Sequence, residues 1–183
     1  MTTTNNWNID GTHSSIGFTV RHMVFSKVRG RFGSYTATLE LDEADLTRSK
    51  IEVAIDAASI DTGTEQRDGH LRSADFFDVE KYPHLRFRST RIEKDDETSY
   101  RMIGELTIRD VTREVTLDVE ATGKGKDPWG NERLGFVAKT SFNRKDYGLN
   151  WNQLLEAGGV LVGEKVEIEL EIQAVKAAAT AAA

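Results

Sequence analysis

Apolar and polar residues alternate along most of this chain. In "EKVEIELEIQAV", Val166, Ile168, Leu170, Ile172 and Ala174 face one way, and Lys165, Glu167, Glu169, Glu171 and Gln173 face the other. A period of two describes a strand buried on one face. On a helix the same glutamates would be spread around the whole surface.

The pattern recurs. "RLGFVAKTSF" aligns Leu134, Phe136, Ala138, Thr140 and Phe142, and "YRMIGELTI" aligns Tyr100, Met102, Gly104, Leu106 and Ile108. "KIEVAIDAASI", "HLRFRSTRI" and "REVTLDVEA" repeat it, and "SIGFTVRHMVF" and "RGRFGSYTATLEL" extend it towards the N-terminus. Turn signals such as "EKDDET", "RDVT" and "GKGKDPWGN" separate these runs. The pattern predicts an all-β fold of about eight hairpin-linked strands, an antiparallel sheet closed into a barrel. An open sandwich carries the same alternation and is the alternative architecture.

One segment breaks the rhythm. "DTGTEQRDGHLRSADFFDVEKYPH" has no alternation, and Thr64 with Glu65 predicts a short helix running to about Ala74. The 61–83 stretch is then a long connection over one end of the barrel.

Length, charge and residue usage narrow the function classes. The chain's 183 residues fit one domain, expected over 5–176, with a low-complexity alanine tail at 177–183. A formal charge of −6 argues against sequence-independent nucleic-acid binding, which needs Lys and Arg on phosphates. Cysteine is absent, which excludes disulfides, thiolate metal sites and a Cys nucleophile. No run approaches the roughly 18 apolar residues of a transmembrane helix. "MTTTNNWNID" lacks the basic and apolar regions of a secretory signal, so the expected address is cytoplasmic, or periplasmic if a signal was removed.

Several residue groups invite a chemical reading. Gly158, Gly159 and Gly163 form neither GxGxxG nor a P-loop, and a strand rather than a helix follows them, so no phosphate cradle is expected. His13, His22, His70 and His84 lack HxH or HExxH spacing, and no metal is expected. Asp10, His13 and Ser14 are the residue types of a hydrolase triad. They stand too close in sequence to orient one another, and "DGTHS" reads as a capped turn. Arg21, Lys27, Arg29 and Arg31 cluster in an otherwise acidic protein, interleaved with Phe25 and Phe32. They are either a solvated strand face or a basic rim for an anionic head group, to which Arg67 and Arg72 could add. On the inward face, small residues (Gly17, Gly104, Ala138) stand among Phe18, Phe32, Phe87, Phe136 and Phe142. That mixture fits a cavity or an interlocked core.

The blocks "WNIDGTHSSIGFTVRHM", "RDGHLRSADFFDVEKYPHLRFRST", "GELTIRDVTREVTLDV", "FNRKDYGLNWN" and "LEAGGVLVGEKVEIELEI" together resemble the YceI-like, polyisoprenoid-binding family from about Trp7 to Val175. The resemblance implies a lipocalin-like barrel whose apolar pore holds a long isoprenoid or similar amphiphile, a polyisoprenoid, quinone or fatty chain, with no catalysis and no cofactor. It also makes "NWNQLLEAGG" the loop before the last strand. On this reading Phe18, Phe32, Phe87, Phe136 and Phe142 are expected to line the pore, and Arg21, His22, Arg67, Arg72, Asn150 and Trp151 to stand near its mouth. The expected function is carriage or sequestration of an isoprenoid lipid. The alternatives are a packed barrel acting as a protein-interaction module and an enzyme on the same barrel. Whether the chain forms a homodimer is left open.

Overall fold

The computed structural model describes residues 5–178, so most of the alanine tail lies outside the described residues. Among the described residues eleven strands form one antiparallel sheet: β1 (Asn5–Ile9), β2 (Ser15–His22), β3 (Ser26–Phe32), β4 (Tyr35–Leu41), β5 (Lys50–Asp56), β6 (Ile60–Asp61), β7 (His84–Lys94), β8 (Ser99–Ile108), β9 (Val111–Lys126), β10 (Glu132–Asn143) and β11 (Val162–Lys176). β1 pairs with β11, Trp7 facing Lys176 and Ile9 facing Ala174, and this closes the sheet on itself.

Three walls of the barrel are long strands broken in two. β1 and β2 share one edge of β11 but with a register step, since Ile9 faces Ala174 whereas Ser15 faces Glu171. β3 and β4 follow alongside, pairing with β2 and β1, and β6 and β5 pair with β3 and β4 in turn. Taking each broken pair as one strand gives the eight-stranded up-and-down barrel that the alternation predicts. Closure through β1 and β11 pairs edges that an open sandwich would expose, leaving the outer edge of β3 and β6.

The breaks are made by local polar chemistry. Asp10 caps a 3-10 turn at Gly11–His13, its Oδ1 accepting from the Thr12 N–H at 3.0 Å and the Thr12 hydroxyl at 2.7 Å. The Ser14 hydroxyl accepts from the Gln173 N–H at 2.9 Å, across to β11. The trio Asp10, His13 and Ser14 is thus a turn whose serine is bonded to the neighbouring strand. The other two breaks lie side by side, where the Gly33 N–H donates to the Ser59 carbonyl at 3.3 Å. Register steps of this kind bend a strand and sharpen its twist.

β7 does not follow β6. Its pairing with β5 stops at Asp56 facing His84, and the connection between them carries α1 (Glu65–Arg72). The helix starts behind Thr64, as expected, and ends short of Ala74. Arg72 turns back from its last residue and donates to the carbonyls of Ala58 (2.9 Å) and Ile60 (3.2 Å), on the strand edge that β7 leaves open.

Two glycines shape the inner wall. A Cβ on Gly104 would lie 2.5 Å from the Phe87 ring and 2.6 Å from the Arg88 carbonyl oxygen, and a Cβ on Gly30 would run into the Phe18 ring. Each phenyl ring reaches over a glycine of the neighbouring strand and occupies the space a Cβ would take. Gly104→Ala is therefore expected to destabilise by about 1–3 kcal/mol, because a backbone oxygen must move. Gly123→Ala, on β9 with nothing near its Cβ position, is expected to be neutral or stabilising. Urea denaturation of the two variants separates them, and equal midpoints would mean that Phe87 swings aside freely.

The lower end of the barrel is shut. Trp7, Leu39, Leu41 and Ala174 form a buried cluster there. Beside it Arg133 donates to Asp10 (2.7 Å), Asp127 (2.9 Å) and the Gln173 side chain (2.6 Å), tying the first turn to the β9–β10 hairpin and to β11. Bonds from Thr12, Arg133 and His13 hold the Asp10 carboxyl well below the usual carboxylate range. Desolvation opposes ionisation of Asp127, but bonds from Asn131, Arg133 and the Trp129 N–H outweigh it and bring its pKa down to about 2. A carboxylate with a lowered folded-state pKa contributes stability above its unfolded value, about 4, and loses it as pH falls towards the folded value. Arg133→Gln is expected to lower stability at neutral pH and to flatten its decline between about pH 4 and pH 2. Denaturation midpoints measured across that range test this, and a decline as steep as the wild type's would clear Arg133 of the role.

Candidate functional site

The inward faces of the strands enclose two apolar cavities. The lower one, about 210 Å³, is bounded by residues such as Leu39, Ile51, Phe87, Met102, Phe136 and Ala138. The upper one, about 630 Å³, lies between the upper halves of β2, β3 and β11 and the connection that carries α1. Phe32, Leu85, Ile108, Phe142 and Ile168 border both, and stand as a waist between the two chambers. The upper volume falls in the range of ligand-sized sites. A depression of about 720 Å³ on the outer wall, among Thr19, Arg29, Lys139 and Glu169, is framed by exposed charged side chains rather than an enclosing shell.

The aromatic residues expected in the pore all border a chamber. Phe87 and Phe136 border the lower one, Phe18 the upper, and Phe32 and Phe142 both. Phe18 packs on Phe32 with ring centroids 5.7 Å apart, and Phe32 on Phe77 at 5.9 Å. Gly17, expected on the inward face with Phe18, is on the other face. It pairs with Glu169 and stands among the outer-wall residues, since neighbours in a strand point to opposite faces.

The residues expected at the mouth divide. Arg21, His22, Arg67 and Trp151 border the upper chamber. Trp151 packs edge-on to His70, centroids 4.5 Å apart, and against Phe76 at 5.5 Å, joining the loop before β11 to the end of α1. Arg67 is half-committed, donating to the Thr62 hydroxyl (2.7 Å) and carbonyl (2.8 Å). Arg72 is held by the Ala58 and Ile60 carbonyls and does not border the chamber, and Asn150 is exposed beside Trp151.

A residue not singled out by sequence stands here too. Arg144 is 3% exposed and borders the upper chamber. It donates to the carbonyls of Leu149 (2.6 Å), Trp151 (2.9 Å), Gly163 (2.8 Å) and Val162 (3.2 Å). Burial lowers the pKa of this guanidinium while the Glu164 carboxylate works against that shift. Its position was open to inference, because it lies two residues beyond Phe142 on an inward-facing row. Next to it, burial pushes the Tyr147 hydroxyl up to about 12, so it stays neutral.

Among the described residues no Asp or Glu borders the upper chamber, while Arg21, Arg67 and Arg144 do, with His22 and His70. In a chain of net charge −6 this is a local reversal of sign. The chamber offers an apolar interior and a mouth that favours a polar or anionic group. Among the described residues no group of His, Asp and Glu side chains is placed to hold a metal ion.

The profile of the YceI-like domain matches residues 7–174. The chain belongs to the YceI-like family. It is 38% identical to a UPF0312 protein of Staphylococcus aureus strain N315 over 165 residues, covering 90% of this chain and 94% of that one. Among solved structures, a YceI protein of Campylobacter jejuni superposes with a TM-score of 0.72 at 29% identity, covering 86% of this chain and 90% of that one. Two more distant structures share the fold. BcnA of Burkholderia cenocepacia has a TM-score of 0.79 at 22% identity, over 91% of this chain and 99% of its own. A Saccharophagus degradans domain, described as a polyisoprenoid binding domain implicated in plant cell wall breakdown, has a TM-score of 0.65 at 14% identity, over 94% and 99%. The YceI-like barrel is therefore as the resemblance implies, and the one α-helix among the described residues lies in the connection where the sequence predicts it. No helix among the described residues is long and apolar enough to cross a membrane.

Proposed function

We propose that this YceI-like protein binds a long-chain isoprenoid or similar amphiphile, tail in the two-chamber pore and head at the basic mouth, and carries or sequesters it without chemical change. The observation that carries the reading is the pair of apolar chambers that share a waist, the upper one bordered by basic side chains and by no carboxylate among the described residues. The polyisoprenoid-binding description of the S. degradans domain supports the same ligand class. Each buried methylene contributes roughly 0.8 kcal/mol, so a few isoprenyl units offset the cost of association. An apolar wall grips any tail of suitable width, so polyprenyl, quinone and fatty chains compete on equal terms and choice among ligands falls to the head group. Open chambers of this size count against the packed-barrel alternative.

Native mass spectrometry of the freshly purified protein tests this. The expected result is a stoichiometric adduct that, on denaturation, releases an isoprenoid, quinone or fatty chain. A protein that carries no adduct and takes up neither polyprenyl phosphate nor ubiquinone when these are added would end the reading.

A further inference from the structure

Five large apolar side chains are conspicuously exposed among the described residues, and four of them meet at one place. Met23 (40%), Val24 (61%) and Phe25 (90%) form the tip of the β2–β3 hairpin, and Leu154 (82%) stands on the loop beside it. That loop is a small hairpin of its own, with Leu154 bridged to Val160 and the Leu161 N–H donating to the Gln153 carbonyl at 2.9 Å. It is joined to the tip where the Met23 N–H donates to the Leu161 carbonyl, also at 2.9 Å. The fifth exposed residue, Trp129, is on the β9–β10 hairpin at the opposite end of the barrel.

The backbone holds this tip in an uncommon shape. Met23 and Val24 both have positive φ, 53° and 68°, in turn positions that Asn and Gly usually occupy. A β-branched residue is a poor choice for that conformation. Apolar character is kept at the tip against the local preference for a polar turn.

Charge on the two strands that carry the tip has one sign. From Gly11 to Leu39 the sequence contains no Asp or Glu, in a chain with 30 of them. Arg21, His22, Lys27 and Arg29 follow the tip down both strands, and none of these pairs with a carboxylate among the described residues. Glu156 is the one acid in the 152–161 loop. The mouth of the upper chamber is immediately adjacent, since Arg21, His22 and Leu161 border it.

We propose that this end of the barrel is a membrane-docking face, at which Phe25, Leu154, Val24 and Met23 insert into the surface of an anionic bilayer and the collar of Arg21, Lys27 and Arg29 engages its head groups. An apolar knob with a basic collar is the chemistry of peripheral membrane attachment. Docked this way, the mouth of the chamber faces the bilayer, and a lipid tail passes between them without crossing water. That last consequence rests on the lipid-binding reading above, whereas the docking itself does not.

The test is flotation of the full chain with vesicles of phosphatidylcholine alone, or containing about one-third phosphatidylglycerol, at about 0.1 M salt. The wild type is expected to bind the anionic vesicles and to be released from them by about 0.5 M salt. The double variant F25S/L154S is expected to lose about 100-fold in partitioning or more, through lost apolar burial. The variant K27Q/R29Q is expected to lose about 5- to 25-fold on anionic vesicles and nothing on neutral ones. Retention of a dansylated fatty acid, measured in parallel, should be unchanged in F25S/L154S, whose residues do not border the pore. A wild type that holds the probe but ignores both vesicles would overturn the docking face and leave the pore reading intact. A wild type that docks but holds no probe would do the reverse. If F25S/L154S floats as well as the wild type, or if sedimentation shows instead a wild-type dimer that this variant dissolves, the patch is not a membrane face.

Discussion

Arg144→Met is expected to lower the stability of the folded protein by about 3–5 kcal/mol, because it leaves several buried backbone carbonyls without a donor. The side chain is almost inaccessible, and four backbone carbonyls converge on it from the two ends of one loop, Leu149 and Trp151 on one side, Val162 and Gly163 on the other. No other described group accepts a hydrogen bond from it. Methionine matches much of its length and apolar stem but leaves those carbonyls to find water or stay unpaired, at about 1–3 kcal/mol for each that remains buried. With a denaturant slope of about 2 kcal/mol/M, the urea midpoint should fall by about 2 M. Arg144→Lys should recover only part of this, because an ammonium offers three donors around one point and cannot span carbonyls on both sides as the planar guanidinium does. Amide exchange should show the loss concentrated in 148–163. If the midpoint stays in place, the loop is held by its other ties, chiefly the two hydrogen bonds between Asn152 and Val162 (2.7 and 3.0 Å), and Arg144 is present for its charge at the chamber.

What the sequence shows and what it hides follow from how each feature is encoded. The rows Val166 to Ala174 and Leu134 to Phe142 are legible because a strand with one buried face must alternate, and both rows do turn inward, onto the chambers or the buried cluster below them. The breaks between β1 and β2 and between β5 and β6 are not legible as breaks, since the apolar face resumes after each of them. They are set by single capping contacts, such as Asp10 with Thr12. Alternation carried across Gly17 and Phe18 put both on one face, which adjacent strand residues cannot share. At the mouth the limits are different. Arg67 and Arg72 lie on one short helix, yet one borders the chamber and the other satisfies a strand edge, and only the pairing of β5 with β7 shows where that edge lies open. Asn150 and Trp151 part ways because the loop passes the chamber side-on. Arg144 could have been found by extending the Phe142 row by one step, but a cation following an apolar row reads as its end.

Ala138→Phe is the change expected to have the largest effect on ligand binding with the fold kept. Ala138 sits in the middle of β10, facing the lower chamber between Leu170 of β11 and Val119 of β9. A benzyl group there occupies much of the roughly 210 Å³ below the waist while the upper chamber of about 630 Å³ stays open. The added volume should destabilise the barrel by about 1–3 kcal/mol, which a closed eight-stranded sheet can absorb. For a ligand whose tail passes the waist, excluding about four methylenes removes about 3 kcal/mol, or roughly 100-fold in affinity. Short tails that end in the upper chamber should bind as before. Titrating a series of fatty acids of increasing length resolves the two cases. In the wild type each added carbon should strengthen binding until the lower chamber is full, and in the variant the gain should stop at a shorter length. Should both proteins reach the same limit, the tail does not pass the Phe32–Phe142 waist, and the ligand occupies the upper chamber alone.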